Sequence, residues 1–207
     1  MRENLPSEIN YKNLKQIEDK IWSLIHDAVV NRDAPFRTPI FSNIEDGKPN
    51  ARTIVLRSAN SNDKNIFFNV DFRSPKIKYL KENPQCHLTF YDKLEKIQLR
   101  VTARSIIHYQ DSICSSAWNK VNHFSRKCYL YEKSPGSEID SPRSSYPREF
   151  LENGYTLNQS ECGYINFCVI ECLFISIDWL YLAAKGHLRA SLNYKSKSET
   201  SFTWISP

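Results

Sequence analysis

Glycine is scarce in this chain: five residues in 207. Neither GxGxxG nor GxxxxGK[ST] occurs, so a glycine-rich loop that wraps phosphate with backbone amides is not encoded. Long apolar runs are missing as well. No window approaches the eighteen consecutive apolar residues of a membrane-spanning helix, and the N-terminal MRENLPSEINYKNLKQ has no apolar core of a signal peptide. The expectation is a protein of the reducing cytoplasm with no membrane partner. The sequence has no HExxH, no GxSxG and no carboxylate pair on one helix face, and its five histidines are scattered. Hydrolytic and metal chemistry therefore find no support. None of the six cysteines forms CxxC. They read as free thiols acting as small buried hydrophobes, and the spacing of Cys162, Cys168 and Cys172 matches no common zinc pattern. A net charge of +5 is a modest excess. Nucleic-acid binding proteins are usually more basic, so no nucleic-acid partner is expected, and small anionic ligands fit at least as well.

What is abundant is aromatic and β-forming. Four Trp, eleven Tyr and eleven Phe suit strands and flat ligands. Length, and the lack of a repeat or linker, point to one domain over 1–207. Leu14, Ile17, Ile21, Leu24, Ile25 and Ala28 recur at helical steps, which predicts an amphipathic helix from about Lys12 to Asn31. Strands are expected near 37–44, 51–57 and 65–71, with Asp46-Gly47 and the stretch 58–65 as turns. Ser74-Pro75 opens a short helix with Ile77 and Leu80 inward, closed by Asn83-Pro84. Strands 86–92 and 96–106 follow, then a helical stretch over 111–131 with Ala117, Trp118 and Val121 inward. The loop 132–146 comes next, and YPREFLEN adds a short helix. The chain ends on strands 164–176, 179–184, 187–194 and 201–206. This order predicts a mainly β architecture with peripheral helices (α+β), a closed or split barrel.

Two places carry chemistry. Arg73, Ser74 and Lys76 stand where a strand turns into a helix, a natural anion site; a solvated basic helix end is the alternative. Arg52 and Arg57 bracket the run RTIVLR at an odd offset, which sends them to opposite faces of a straight strand. A ligand touching both has to lie past the strand's end or across a bulge. Gln98 and Arg100 share a face. A Gln amide suits the edge of a heterocycle, although spacing alone favours a polar, half-exposed outer face.

These motifs, with S-R-x-x-Y-x-x-x-x-S-P-G (125–136), N-F-x-V-I (166–170), I-D-W-L-x-L (177–182) and the final W-I-S-P, resemble the pyridoxamine 5′-phosphate oxidase-like FMN-binding split-barrel family over most of the chain. The resemblance implies flavin mononucleotide (FMN) as cofactor and a homodimer with FMN at the subunit interface. It assigns flavin contacts to Arg52, Thr53, Ile54, Val55, Leu56 and Arg57, and to Asn69 and Val70. Phosphate contacts fall to Ser74 and Lys76, with Arg73 replacing the arginine that Pro75 displaces. Gln98 faces the flavin, and Ser134 joins the cofactor set. Ser125, Arg126 and Arg189 fall on the substrate side. Catalytic residues are not implied. The oxidases carry R-L-H near the C-terminus; here the order is His187-Leu188-Arg189, Ser191 stands where related sequences often have Arg, and Trp179 is one place displaced. Pyridoxamine 5′-phosphate oxidation is therefore expected to be weak or absent. The implied activity is an FMN-dependent oxidoreductase of unnamed substrate. Alternatives are a non-catalytic flavin or tetrapyrrole (heme) module and a basic partner-binding barrel using Arg73, Lys76, Lys78, Lys81, Lys93, Lys96, Arg100 and Arg104.

Overall fold

The computed structural model describes residues 13–142, 145–184, 186–197 and 199–207. The N-terminal stretch read for targeting, Lys12 at the expected helix start, and two residues of the 132–146 loop lie outside them. Helix α1 (Leu14–Val30) starts where the Asn13 side chain accepts the Lys15 N–H at 2.9 Å. Its apolar stripe, Ile17, Ile21, Trp22, Ile25 and Ala28, is buried in the main core. The helix ends where Pro35–Arg37 makes a 3₁₀ turn. That turn swings Arg37 back to donate to Ala28 O at 2.9 Å and Val29 O at 2.5 Å, placing a cation on the last carbonyls of the helix.

Strands β1 (Ile40–Glu45) and β2 (Lys48–Thr53) form a two-residue hairpin. Asp46 and Gly47 both have positive φ, 49° and 74°, as a turn matching strand twist requires. β3 (Leu56–Asn60) then pairs with β4 (Asn65–Asp71) instead of with β1. The expected single strand over 51–57 is thus two strands. Ile54 donates its N–H to Pro39 O at 3.0 Å, and the chain changes partner across Ile54–Val55. Helix α2 (Pro75–Glu82) has Ile77 and Leu80 buried as its spacing predicts.

β5 (Gln85–Asp92) and β6 (Ile97–His108) alternate buried and open positions, with Ile97, Leu99, Val101 and Ala103 facing the core. The helical stretch expected over 111–131 is broken into α3 (Ser112–Asn119), α4 (His123–Arg126) and a 3₁₀ turn. Asn122 caps Phe124 N and restarts the helix. α5 (Arg148–Asn153) follows. The two strands expected at 164–176 and 179–184 are one fifteen-residue strand, β7 (Phe167–Tyr181). Its polar residues suggested a break, but they are paired: Glu171 with His108, and Asp178 with Arg100 and Arg189. Between Phe174 and Ser176 the register against β6 slips by one residue at Ile175, a bulge that lets the strand bend. Before it β7 pairs with β4; after it, with β8 (Leu188–Tyr194), which in turn pairs with β9 (Thr200–Ile205). The result is one antiparallel sheet in the order β2-β1-β5-β6-β7-β4-β3, with β8 and β9 branching from β7. It curls into a barrel that stays open between β2 and β3. α3 packs on the outer side of β4 and β7 over a small second core of Cys114, Trp118, Tyr129, Phe167 and Val169.

His108 fastens α3 to the sheet. Its Nδ1 lies 2.8 Å from Asp111, the N-cap of α3, and its Nε2 lies 2.9 Å from Glu171 on β7. Burial pulls the imidazole pKa down, but the hydrogen bonds to Glu171 and Asp111 outweigh it and the net direction is up. A folded pKa above the unfolded one stabilises fully below the unfolded value, about 6.5 for histidine, and the gain is lost as pH rises through the folded pKa. Urea midpoints measured from pH 6 to 9 should therefore fall in this range, and His108→Gln should flatten the trend. An unchanged slope in the variant would remove His108 as its source.

Candidate functional site

The opening between β2 and β3 collects the first group of residues. Arg52 stands opposite Phe41 on the inward face of the β1–β2 hairpin. Its guanidinium donates to Asn43 Oδ1 at 2.6 Å and Glu45 Oε1 at 2.5 Å. Ser74, buried at 7% exposure, precedes α2 without capping it, and Lys76 Nζ donates to its Oγ at 2.6 Å. Burial lowers the Lys76 pKa and the charge of Arg52 adds to the effect, with Glu45 acting against it. A cation held in this way, beside a second cation and the positive end of a helix, is a site that an anion stabilises.

The site continues along an open strand edge. β3 leaves β4 after the pair Leu56↔Phe68, so Asn69, Val70 and Asp71 have a strand neighbour on the β7 side alone. Ile54, Val55 and Leu56 line the gap from the other side by chain order; Ile54 and Leu56 are buried and Val55 is half-open. Thr53 closes β2 opposite Ile40. At the far end Arg57 sits in a bulge between Leu56 and Ser58. There it lines a cavity of about 800 Å³ together with Asn69, Phe67, Val169, Ser116 of α3 and Ser125. The odd offset of Arg52 and Arg57 is reconciled by the partner change between them: one serves the start of the groove and the other its end.

Three sequence-derived arginines are engaged elsewhere. Arg73 grips Asp71 through Nε at 3.0 Å and Nη2 at 2.7 Å, and its Nη1 donates to Tyr131 O at 2.8 Å. It fastens the following loop to the end of β4. Arg126, 4% exposed, stacks on Trp118 at 4.4 Å and donates to Glu161 and Ser160. Arg189 makes a two-point contact with Asp178 at 3.0 and 2.8 Å. Ser134 bonds to Ser137 Oγ at 2.9 Å in the loop whose Gly136 lies against Pro75.

Gln98 is on the outer face of β6, in register between Tyr91 and Leu180. Asn69 stands opposite Val169, and Val169 opposite His108. Ten residues of β6 separate His108 from Gln98, about 33 Å at the rise of a strand. From the other wall the path is short: Gln98 is two residues along β6 from Arg100, and Arg100, Thr89, Ile40 and Thr53 stand side by side on neighbouring strands. Sequence reasoning missed Asn43 and Glu45, which hold Arg52, and the cations Arg32, Arg37 and Lys120 that also line the cavity. The charged run around Pro35 was the available signal.

Comparisons with known proteins agree with the fold. Residues 19–109 match the family described as pyridoxamine 5′-phosphate oxidase, FMN-binding domain. A pyridoxamine 5′-phosphate oxidase-related, FMN-binding protein of Nostoc punctiforme superposes with a TM-score of 0.73 at 18% identity, covering 91% of this chain and 96% of its own. The chain has the split-barrel fold of that protein. PhzG of Burkholderia lata, solved in complex with tetrahydrophenazine-1-carboxylic acid, has the same fold: TM-score 0.69, 14% identity, 99% of this chain and 98% of that one. No curated protein matches the chain by sequence. In this split barrel no group of three or more metal-ligating side chains occurs among the described residues, and no described helix is long and apolar enough to cross a membrane.

If Arg126 is part of the framework, Arg126→Ala should lower the unfolding free energy by roughly 1–3 kcal/mol, the range for unpairing buried hydrogen-bonding groups. Urea denaturation measures it. Unaltered stability would return Arg126 to the ligand-binding residues.

Proposed function

We propose that this split barrel binds FMN and acts as an oxidoreductase on a small molecule. The observation that carries the reading is Lys76, held on Ser74 at the start of α2 with Arg52 beside it, where the open edge of β4 begins. The residues present fit the cofactor. Ser74 and Lys76 offer a hydroxyl donor and a cation to the phosphate, with Arg52 adding charge. The free backbone groups along Asn69 and Val70 suit the hydrogen-bonding edge of a ring system, and Ile54, Val55 and Leu56 give it an apolar wall. When bound, FMN supplies hydride and electron transfer. The protein's own part is to fix the phosphate, shield one side of the ring from water and present the cavity beyond Arg57 to a substrate. PhzG, of the same fold, was solved with tetrahydrophenazine-1-carboxylic acid bound, in keeping with a small-molecule substrate for this barrel. Pyridoxamine 5′-phosphate itself is not favoured as substrate: Arg189, the cation nearest the oxidase pattern, is bound to Asp178.

Titration of the apoprotein should show one FMN per chain and weaker binding of riboflavin, which lacks the phosphate. Lys76→Ala should weaken FMN by roughly 1–3 kcal/mol, the range for a charge-assisted contact. Equal affinity for the two flavins would defeat the assignment of the phosphate end.

The same reading includes a homodimer with each FMN at the interface. Gln98 stands on the outer face of β6, where a second copy would meet it. The outer face around Gln98 also exposes Ile40 and Tyr91, at 47% and 51%. Sedimentation at micromolar concentration should give a dimer, and Gln98→Ala should change the flavin spectrum. A monomer that retains FMN in full would refute the shared site.

A further inference from the structure

We infer that the cavity beneath α3 takes a substrate with two or more negative charges, selected by a positive wall of Arg32, Arg37, Arg57 and Lys120. The inference builds on the reading of this cavity as the space beside the flavin. All four cations line the same volume of about 800 Å³, and no carboxylate among the described residues lines it. They come from three separate stretches: the α1–β1 connection, the β3 bulge and the end of α3. Five arginines elsewhere, Arg52, Arg73, Arg100, Arg126 and Arg189, each pair with a carboxylate. Among the described residues Arg32, Arg57 and Lys120 have no ion pair, and Arg37 donates to two backbone carbonyls.

The arrangement opposes itself in the absence of a ligand. Burial and the neighbouring charges of Arg57 and Arg32 press the Arg37 pKa down, so these three guanidinium groups are within electrostatic reach of one another. Arg37 cannot swing away, because the carbonyls closing α1 hold it. One monoanion offsets one of four charges; a second anionic group adds attraction at no new orientational cost. Phe67, Val121 and Val169 give the cavity apolar surface for a ring. Carboxylate and phosphate share the chemistry that recognises such a wall, since both accept paired N–H donors from guanidinium.

The test is calorimetric titration of the full-length, FMN-saturated protein at pH 8 and low salt. The probes are isophthalamide, benzoate, isophthalate and trimesate, a ring carrying zero, one, two and three negative charges. Affinity should rise with charge, by about tenfold from benzoate to isophthalate, the effect of one charge-assisted contact. Phenyl phosphate, a dianion at this pH, is run beside isophthalate; whichever binds more tightly names the anionic group preferred. Arg32→Gln and Lys120→Gln, both at exposed positions, should each weaken isophthalate several-fold and leave isophthalamide unchanged. Their melting temperatures without probe should equal or exceed that of the parent, because repulsion is relieved. Equal affinity for benzoate and isophthalate, or variants that bind isophthalate like the parent, would overturn the inference. Heat of binding without a flavin absorbance change would support the anion site and sink its placement beside the flavin. The same series run on the flavin-free protein keeps the anion site testable if FMN does not bind.

Discussion

The site depends on one change of strand partner. Through Thr53 the chain pairs with β1; from Leu56 it pairs with β4. Two residues, Ile54 and Val55, make the transfer, and neither extends a ladder on both sides. The gap they leave is what keeps Asn69 and Val70 without a strand partner on one edge. Unpaired backbone groups in a folded protein are kept where solvent or a ligand satisfies them, so the opening is both a weak point of the barrel and a ready-made polar slot. The barrel tolerates it because β7 holds the other side. Fifteen residues long, β7 pairs with β6 along its length and with β4 and then β8 on its other edge. The Ile175 bulge supplies the bend, and it switches the inward-facing set from Cys168, Ile170, Cys172 and Phe174 to Ile177 and Trp179.

Much of this was legible in the sequence where local chemistry decides structure. The stripe of α1, the Asp46-Gly47 turn and the Ser74-Pro75 helix start each follow from backbone preferences or periodicity, and each stands where expected. The misreadings share a cause: the decisive partner was remote. RTIVLR has strand character throughout, and only the positions of β1 and β4 divide it. The strand runs through the expected gap at 177–178 because Asp178 is paired across the sheet with Arg100 and Arg189, 78 and 11 residues away. Asn122 was an available stop signal inside the expected 111–131 helix, since a capping side chain restarts a helix as readily as it starts one.

Arginine shows the same limit for the site. A sequence gives the charge of a guanidinium but not its use. Arg73 sits two residues from Asp71, a spacing at which the end of a strand curls the pair together, and the structure finds them joined. Arg126 was read with the substrate, yet it lies over an indole in the small second core. By contrast Arg32 and Arg37, which no motif marked, face a cavity. The distinction is whether a carboxylate is within reach, and that is a property of the fold.

Paired and unpaired cations divide the molecule by task. A guanidinium bound to a carboxylate at partial exposure contributes little net stability, but it fixes geometry: Arg73 holds the loop by α2, and Arg189 with Arg100 holds Asp178 between β6 and β8. An unpaired group near like charges contributes nothing to folding and costs repulsion. Its position is then informative in proportion to that cost. Lys76 beside Arg52, with Glu45 only partly offsetting them, marks the phosphate end of the groove. The cations below α3 mark the other end with no acidic residue among the lining groups. His108 ties the two halves of this logic together, because the carboxylates it joins, Asp111 and Glu171, set where α3 starts and hence where its end presents Lys120. The helix that covers the cavity is anchored by an ion-paired network at one end and carries an uncompensated charge at the other, so the fold supplies the rigidity and leaves the charge for the ligand.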